Sequence, residues 1–321
     1  MRTKILSDRS RLPVWITAAL LLGASVLSVF VGVSDFDPTN AEARMLFFVS
    51  RLPRTLAVLL TGSALAIAGL VMQTLARNKF VDPATTGTAQ SAWLGILLMT
   101  LLWPGASIAM KSLGAIATAL VGTAFFLRLA HRLPPTQPHL VPLFGLVYGG
   151  VVGSFAVYIA WQTNLLQFLE VWTSGEFSGI LQGRYEMLWV TALLTASAWW
   201  VADRFSILAL GEATSLGLGL NYKGMLRLGL IIVSVVSAVV VVVVGTIPFV
   251  GLVAPNIVSR LVGDNLRRSV PWVAATGALL VLTCDIIGRL IRYPYEIPVG
   301  AVLGVVGAVI FLFMLPRRSH G

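Results

Sequence analysis

Charged side chains are scarce in this sequence of 321 residues. Aspartate, glutamate, lysine and arginine together make up 11% of it, whereas hydrophobic residues make up 57%. An ordinary soluble domain has about 25% charged and about 45–50% apolar residues. A water-soluble fold cannot bury so much apolar surface, so the composition excludes a soluble catalytic domain and predicts a chain that lies in a membrane.

Side chains that bind metals or act as nucleophiles are also few. The one cysteine, Cys284, lies in an apolar run, and the three histidines, His131, His139 and His320, lie in loops or near the C-terminus. Neither a disulfide framework nor a cysteine metal cluster can be built from them. A membrane enzyme would need a Ser–His, paired-Asp or metal constellation within the bilayer. We therefore expect no cofactor, no metal site and no enzymatic activity.

Two further absences bear on the energy source of a membrane protein. An ion-coupled secondary transporter needs a carboxylate at mid-membrane, but Asp285 is the one acidic residue well inside a late apolar run, and it lies near the outer end of that run. Ion coupling is therefore a remote alternative. The phosphate-binding loop Gly-x-x-x-x-Gly-Lys-Ser/Thr is missing as well, so the chain does not bind ATP by that motif.

The apolar residues form ten runs, each near the length of about 20 residues that crosses a ~30 Å hydrocarbon layer as a helix. They predict an all-α, polytopic integral membrane protein with about ten transmembrane helices in a single domain over residues 1–321. The eighth run is short, which favours a broken or partly re-entrant helix. The runs are Pro13–Val33, Leu52–Leu75, Pro83–Trp103, Ile108–Ala130, Leu140–Gln162, Met187–Ala202, Leu226–Gly245, Pro248–Val262, Val270–Ile287 and Ile297–Leu315.

The net charge of +10 comes from basic residues in short segments between the apolar runs, which indicates a topology signal and no nucleic-acid partner. With the N-terminus inside, sixteen of the twenty-three basic residues lie on the cytoplasmic side. The first run is too long for a signal-peptide core. We therefore expect both termini in the cytoplasm, a long outer loop at residues 163–186 and a long inner segment at residues 205–226.

Short motifs with glycine, proline or arginine at fixed places lie along almost the whole chain. In chain order they are Arg51-Leu-Pro-Arg54, Gly69-Leu-Val-Met-Gln73, Arg77-Asn-Lys-Phe-Val-Asp-Pro83 with Gly87, Trp172 with Gly175 and Gly179, Gly211-Glu-Ala213, Leu216-Gly-Leu-Gly219, Gly245-Thr-Ile-Pro-Phe-Val-Gly-Leu-Val-Ala-Pro255, and Arg260, Asp285, Arg289 and Glu296-Ile-Pro298. Together they resemble the signatures of the permease subunits of ABC importers for iron–siderophores and vitamin B12, the FecCD/BtuC-like family. Asn256 stands where this family often has histidine, a change that preserves polarity.

The resemblance implies a type II ABC importer permease fold and the import of a ferric siderophore, with the Arg77 motif closest to the catecholate-type branch. Vitamin B12 or haem is the alternative cargo. The implied partners are a cytoplasmic ABC ATPase dimer, a second permease subunit that is a related chain or a second copy, and a periplasmic or lipid-anchored substrate-binding protein. The implied location is the bacterial cytoplasmic (inner) membrane.

The resemblance also assigns roles to three groups of residues. Gly211, Glu212, Ala213, Gly217 and Gly219 match the short coupling helix that fits a groove of the ATPase, although an ordinary amphipathic loop helix is the alternative. Arg51, Arg54 and Arg289 match positions that dock acidic residues of the binding protein. Pairing within the chain, such as Asp285 with Arg289 at i, i+4, is the alternative there. Gln137 and His139 lie where the family has its cytoplasmic gate, or in a plain rigid connector.

Overall fold

The computed structural model describes residues 14–31, 45–134, 137 and 140–314. Within these residues all regular structure is helical, in thirteen helices. They are α1 (Val14–Phe30), α2 (Phe47–Leu75, with a π-helical first turn Phe47–Arg51), α3 (Thr88–Leu102), α4 (Ile108–Ala130), α5 (Leu140–Gln162), α6 (Leu166–Thr173), α7 (Leu188–Trp200), α8 (Ala202–Leu208), α9 (Glu212–Gly217), α10 (Tyr222–Val243), α11 (Val250–Val262), α12 (Leu266–Ile291) and α13 (Val299–Met314).

Ten of these helices coincide with the ten apolar runs of the sequence, which confirms the all-α membrane architecture. Five, namely α2, α4, α5, α10 and α12, are long and apolar enough to cross a membrane. The other five have 13 to 17 residues. The short helices α6, α8 and α9 lie between the apolar ones. We call the two ends of the bundle the α6 end and the α9 end.

The centre of the bundle is α2, which packs against α7, α10, α11 and α12. Its buried face is rich in alanine and glycine, and small residues let helix backbones approach closely in a membrane. A Cβ atom added to Gly69 would lie 2.1 Å from the carbonyl oxygen of Gly251 on α11, and one added to Gly62 would lie 2.5 Å from that of Gly277 on α12. The Gly69 and Gly245–Pro255 motifs are therefore packing motifs of one interface.

The segment that leads into α11 is not helical although it is buried. Gly245 has φ +92° and Phe249 has φ +67°, and the residues between them belong to no helix or strand. Lipid offers no hydrogen bonds, so such backbone needs partners within the protein. The loop around α6 supplies them, because the Glu176 amide donates to the Val244 carbonyl (2.9 Å) and the Thr246 amide donates to the Trp172 carbonyl (3.0 Å).

Pro255 inside α11 explains another part of the sequence pattern. Proline has no amide hydrogen, so the carbonyl four residues earlier, that of Gly251, loses its helical partner. The side-chain amide of Gln73 donates to this carbonyl instead, at 3.0 Å. The Gly69–Gln73 motif thus contributes both the close contact and the missing hydrogen bond that α11 needs.

Large apolar side chains cover the flanks of the bundle. On α5 they include Leu146, Val147, Val151 and Phe155, each more than half exposed, and α5 is the least buried of the five long helices. A soluble monomer rarely exposes contiguous apolar patches of more than a few hundred Å². This surface therefore requires lipid or a neighbouring apolar chain.

Candidate functional site

A network of two arginines and two carboxylates lies at the α6 end, where α2 and α12 meet the loop before α13. Arg54 donates to Asp285 at 2.7 Å and to Glu296 at 2.9 Å. Arg289 donates to the other oxygen of Asp285 at 2.6 Å. The exposed fractions of the side chains are 13% for Arg54, 2% for Asp285, 6% for Arg289 and 30% for Glu296. The charges of the four groups cancel.

Arg289 also joins the network to the first helix. Its guanidinium donates to the carbonyl oxygens of Ser28 and Val31, both at 2.8 Å, and to the Ser28 hydroxyl at 2.6 Å. Ser28 in turn shares a hydrogen bond with Thr55 on α2 (3.1 Å). The carbonyls at a helix C-terminus lack intrahelical donors and attract cations. Arg289 therefore holds the end of α1 against α2 and α12.

These contacts confirm the pairing of Asp285 with Arg289 that the i, i+4 spacing offered as an alternative. The partners of Arg54 were not predicted, because 231 residues separate Arg54 from Asp285 and 242 separate it from Glu296. Glu296 belongs to a sequence motif, but nothing in the sequence pairs it with α2. Docking of a partner protein on Arg51, Arg54 and Arg289 stays a prediction.

Arg51 lies in the π-helical first turn of α2, one turn before Arg54. One of its terminal nitrogens donates to the Val29 carbonyl at 3.3 Å, so it too contacts the end of α1.

Beside Arg54 lies an open cavity of about 330 Å³. Its lining comes from the loop after α6, from α12, and from the first residue of α13 with the loop before it: Glu176, Phe177, Ser178, Asp285, Pro294, Tyr295, Glu296, Ile297, Pro298 and Val299.

The segment predicted to couple to an ATPase forms a short helix at the α9 end. Gly211 has φ +102° and Gly219 has φ +77°, conformations that favour glycine, and these two glycines turn the chain into and out of α9 (Glu212–Gly217). The hydroxyl of Ser215 donates to the Ile207 carbonyl at 2.9 Å, which ties α9 to α8. Three leucines around α9 are more than half exposed: Leu210, Leu216 and Leu218.

The other members of this segment also lie at the surface of α9. Gly217 has no neighbouring atom within 4 Å of an added Cβ position, and Glu212 and Ala213 are exposed in the first turn of α9. An exposed short helix with apolar side chains can pack into a groove of another protein. That α9 does so, with an ATPase as its partner, stays a prediction.

The loop between α4 and α5 was the predicted gate. Gln137 is exposed, and its backbone amide donates to the Pro134 carbonyl at 3.2 Å. His139 lies outside the described residues. His131, at the start of the loop, shares a hydrogen bond with the Leu75 carbonyl at the end of α2 (2.9 Å). The start of the loop is thus fastened to the central helix, and the gating role of Gln137 and His139 stays a prediction.

An ion pair that the sequence does not predict joins two turns at the α9 end. Lys79, after α2, contacts Asp264, between α11 and α12, at 2.9 Å. The Ser259 hydroxyl also contacts this carboxylate. The Ser259 hydroxyl and the Lys79 ammonium hold the pKa of Asp264 below its ordinary value, so this carboxylate stays charged at neutral pH. No local spacing predicts the pair, because the partners are 185 residues apart.

Ten apolar helices among the described residues, a buried central helix and charged groups gathered at the two ends define a multi-pass helical membrane protein. Residues 12–317 match the model of the FecCD transport family. The chain is 44% identical to the petrobactin import system permease protein YclN of Bacillus subtilis, over 94% of this chain and 96% of that one. It is 39% identical to the petrobactin import system permease protein FatD of Bacillus anthracis, over 94% and 90%.

The fold has a counterpart among solved structures. A chain described as a metal-chelate-type ABC transporter, in an inward-facing conformation, superposes with a TM-score of 0.79 at 23% identity, covering 94% of this chain and 97% of that one. This likeness shows the fold, and the sequence matches identify the family. The chain belongs to the FecCD transport family, and it is a membrane permease of the FecCD/BtuC-like type rather than an enzyme.

The arginine–carboxylate network generates a stability prediction. Replacing Asp285 by asparagine keeps the shape of the side chain but leaves Arg54 and Arg289 opposite one remaining carboxylate. Breaking a buried ion pair from one side costs about 3–5 kcal/mol, so we expect a clearly lower thermal unfolding midpoint in detergent. Asp264→Asn is the matched control, because its exposed pair with Lys79 contributes only about 0–1 kcal/mol. Equal midpoints for the two variants would refute the structural role of the network.

Proposed function

We propose that this permease is the membrane subunit of an ABC importer that moves a ferric siderophore from a substrate-binding protein into the cytoplasm. The observation that carries the proposal is the match to petrobactin import permeases along nearly the whole chain. The match includes the helices that form the bundle and residues 211–222, which contain α9 and are called the α9 segment below. Energy has to come from a separate ATPase, because the sequence has no phosphate-binding loop.

The chemistry of the cargo agrees with the scarcity of metal-binding side chains among the described residues. A ferric siderophore is large, rigid and often anionic, and release on the far side requires that it be held weakly. Among the described residues no group of three or more His, Cys, Asp or Glu side chains could hold a metal ion. This supports movement of the intact chelate rather than of bare iron.

A second permease subunit follows from the same proposal. One side of α5 carries exposed apolar side chains, whereas the opposite side packs within the chain through glycines at four-residue spacing, Gly145, Gly149 and Gly153. A helix so little buried in its own chain can pack against another permease chain at the middle of the membrane. Both a related chain and a second copy fit this surface.

The orientation we propose places the α9 end in the cytoplasm and the α6 end outside, in a bacterial cytoplasmic membrane. It rests on the excess of basic residues in the segments at the α9 end. The same orientation puts the α9 segment within reach of a cytoplasmic ATPase and the arginine network within reach of an external binding protein.

Cysteine labelling tests this orientation. The native Cys284 is 1% exposed, so it should not react with a membrane-impermeant maleimide and can be retained. A cysteine at Leu218, beside α9, should react only after the membrane is opened, and one at Gln182, in the loop after α6, should react in intact cells. The reverse pattern would overturn the proposed orientation.

We propose further that carboxylates of the binding protein pair with Arg51 and Arg54 at the α6 end, where an open cavity lies beside Arg54. The burial of Arg289 supports an indirect part for this residue, which would hold α1 and α12 in place beneath the contact surface. Glu296 is partly exposed and already occupies Arg54. A carboxylate of the partner would therefore compete with Glu296 for the same guanidinium.

This competition predicts opposite effects of two substitutions on docking. Glu296→Gln removes the internal competitor and should speed association of the acidic binding protein, whereas Arg51→Glu adds repulsion and should slow it. Both effects should be largest at low salt, where screening is weak. Association rates with the reconstituted complex, measured over a range of ionic strength, provide the check. Rates that do not respond to either substitution, in complexes of normal stability, would exclude these residues from docking.

Reconstitution tests the function itself. Proteoliposomes with this chain, its second permease subunit and the ATPase should take up ferric petrobactin when ATP and the binding protein are supplied, and cyanocobalamin should not compete. Glu212→Ala should weaken ATPase binding by about tenfold, the effect of a contact worth ~1.4 kcal/mol. Glu170→Ala, an exposed glutamate of the short helix α6 at the opposite end, is the control. ATP hydrolysis by the isolated chain, or uptake without ATP, would contradict the proposal.

A further inference from the structure

The end of α2 has an unusual residue for its conformation. Arg77 adopts the left-handed region with φ +50°. The amide of Arg77 donates to the Thr74 carbonyl (3.3 Å), and the amide of Asn78 donates to the Gln73 carbonyl (2.9 Å). These two bonds form the closing turn of a helix C-terminus that glycine normally occupies, with asparagine as the usual substitute.

Helix α5 ends in the same turn with the expected kind of residue. Asn164 has φ +57°, its amide donates to the Trp161 carbonyl (3.3 Å), and the Leu165 amide donates to the Ala160 carbonyl (2.7 Å). Asparagine tolerates this conformation, whereas a long side chain such as arginine is strained in it. The two turns are alike in geometry, so the arginine at the end of α2 calls for a reason in its side chain.

The side chain of Arg77 reaches the α9 segment at both of its ends. One terminal nitrogen of the guanidinium donates to the Tyr222 hydroxyl at 2.9 Å, and Tyr222 is the first residue of α10. The guanidinium also lies over Gly211, where an added Cβ atom would be 3.2 Å from the other terminal nitrogen. The bare Cα of Gly211 therefore provides the space for this contact.

The geometry points to Arg77 as the residue that couples displacement of the α9 segment to the central helix α2. Gly211 and Tyr222 bracket α9, and Arg77 extends directly from α2, which packs against four of the apolar helices. The Lys79–Asp264 pair fastens the same loop to a different turn, between α11 and α12, and does not contact the α9 segment. The inference rests on the proposed function, in which α9 receives the movement of the ATPase.

In this role Arg77 is a positioning residue, and replacing it by glycine separates positioning from stability. Glycine removes the backbone strain of the left-handed turn, so the thermal unfolding midpoint should stay close to that of the wild type although two contacts are lost. The link between α9 and α2 is lost at the same time. We expect ATP hydrolysis by the complex to continue while iron import per ATP hydrolysed falls by about fivefold or more, the lower end of the usual coupling between two sites.

Asn164→Gly is the matched control, because it places glycine in the same turn at the α6 end, away from the α9 segment. Its import per ATP should equal that of the wild type. Tyr222→Phe keeps the ring and removes only the hydroxyl, so it should lower import per ATP in the same direction, and combining it with Arg77→Gly should add little further loss.

The measurement uses the complete complex in proteoliposomes, with ferric petrobactin and the binding protein outside and ATP at the α9 end. Unchanged import per ATP in Arg77→Gly would overturn the inference. Equal losses of import, ATP hydrolysis and unfolding midpoint would also overturn it, since they indicate a structural role alone. If the wild-type complex itself shows no ATP-driven import, the proposed function fails instead, and the two failures are thereby distinguished.

Discussion

The fold depends on one constraint, which is that backbone polar groups buried in a membrane must find their partners inside the protein. Helices satisfy it by themselves, but the chain between α10 and α11 is not helical, and Pro255 frees a further carbonyl in α11. The loop around α6 and the Gln73 side chain supply the missing bonds. For Gln73 to reach Gly251, α2 and α11 must almost touch, which is why Gly69 and Gly251 face each other without side chains.

Hydropathy was sufficient to predict the helices because lipid imposes a length and an apolar composition on each crossing. It failed where charge is buried. The predicted run Val270–Ile287 ends before Arg289, whereas α12 continues to Ile291, because Asp285 neutralises Arg289 one turn earlier. The short helices α6, α8 and α9 are not long apolar runs, so hydropathy did not predict them. The motif Gly211–Gly219 indicated where the third of them lies, but only by resemblance.

Contacts between distant residues could not be predicted from one sequence. Arg54 pairs with residues more than 200 positions away, and the roles suggested for Arg51, Arg54 and Arg289 came from matching positions in a family rather than from their surroundings. The surroundings change the physical expectation for these arginines. Two of the three arginines predicted to attract a partner share their charge with Asp285 and Glu296, so they present less net positive charge than the sequence alone suggests.

The two ends of the bundle are therefore held by interactions of different strength. At the α6 end, largely buried ion pairs and the hydrogen bonds of Arg289 join α1, α2 and α12, and removing Asp285 leaves Arg289 without its carboxylate in an apolar environment. At the α9 end, the ion pairs Lys79–Asp264 and Asp203–Arg267 are exposed, and solvent and salt weaken such pairs. We therefore expect a displacement imposed on the bundle to be taken up at the α9 end. Because the central helix connects both ends, the contact between its last turn and the α9 segment decides whether that displacement reaches the membrane interior.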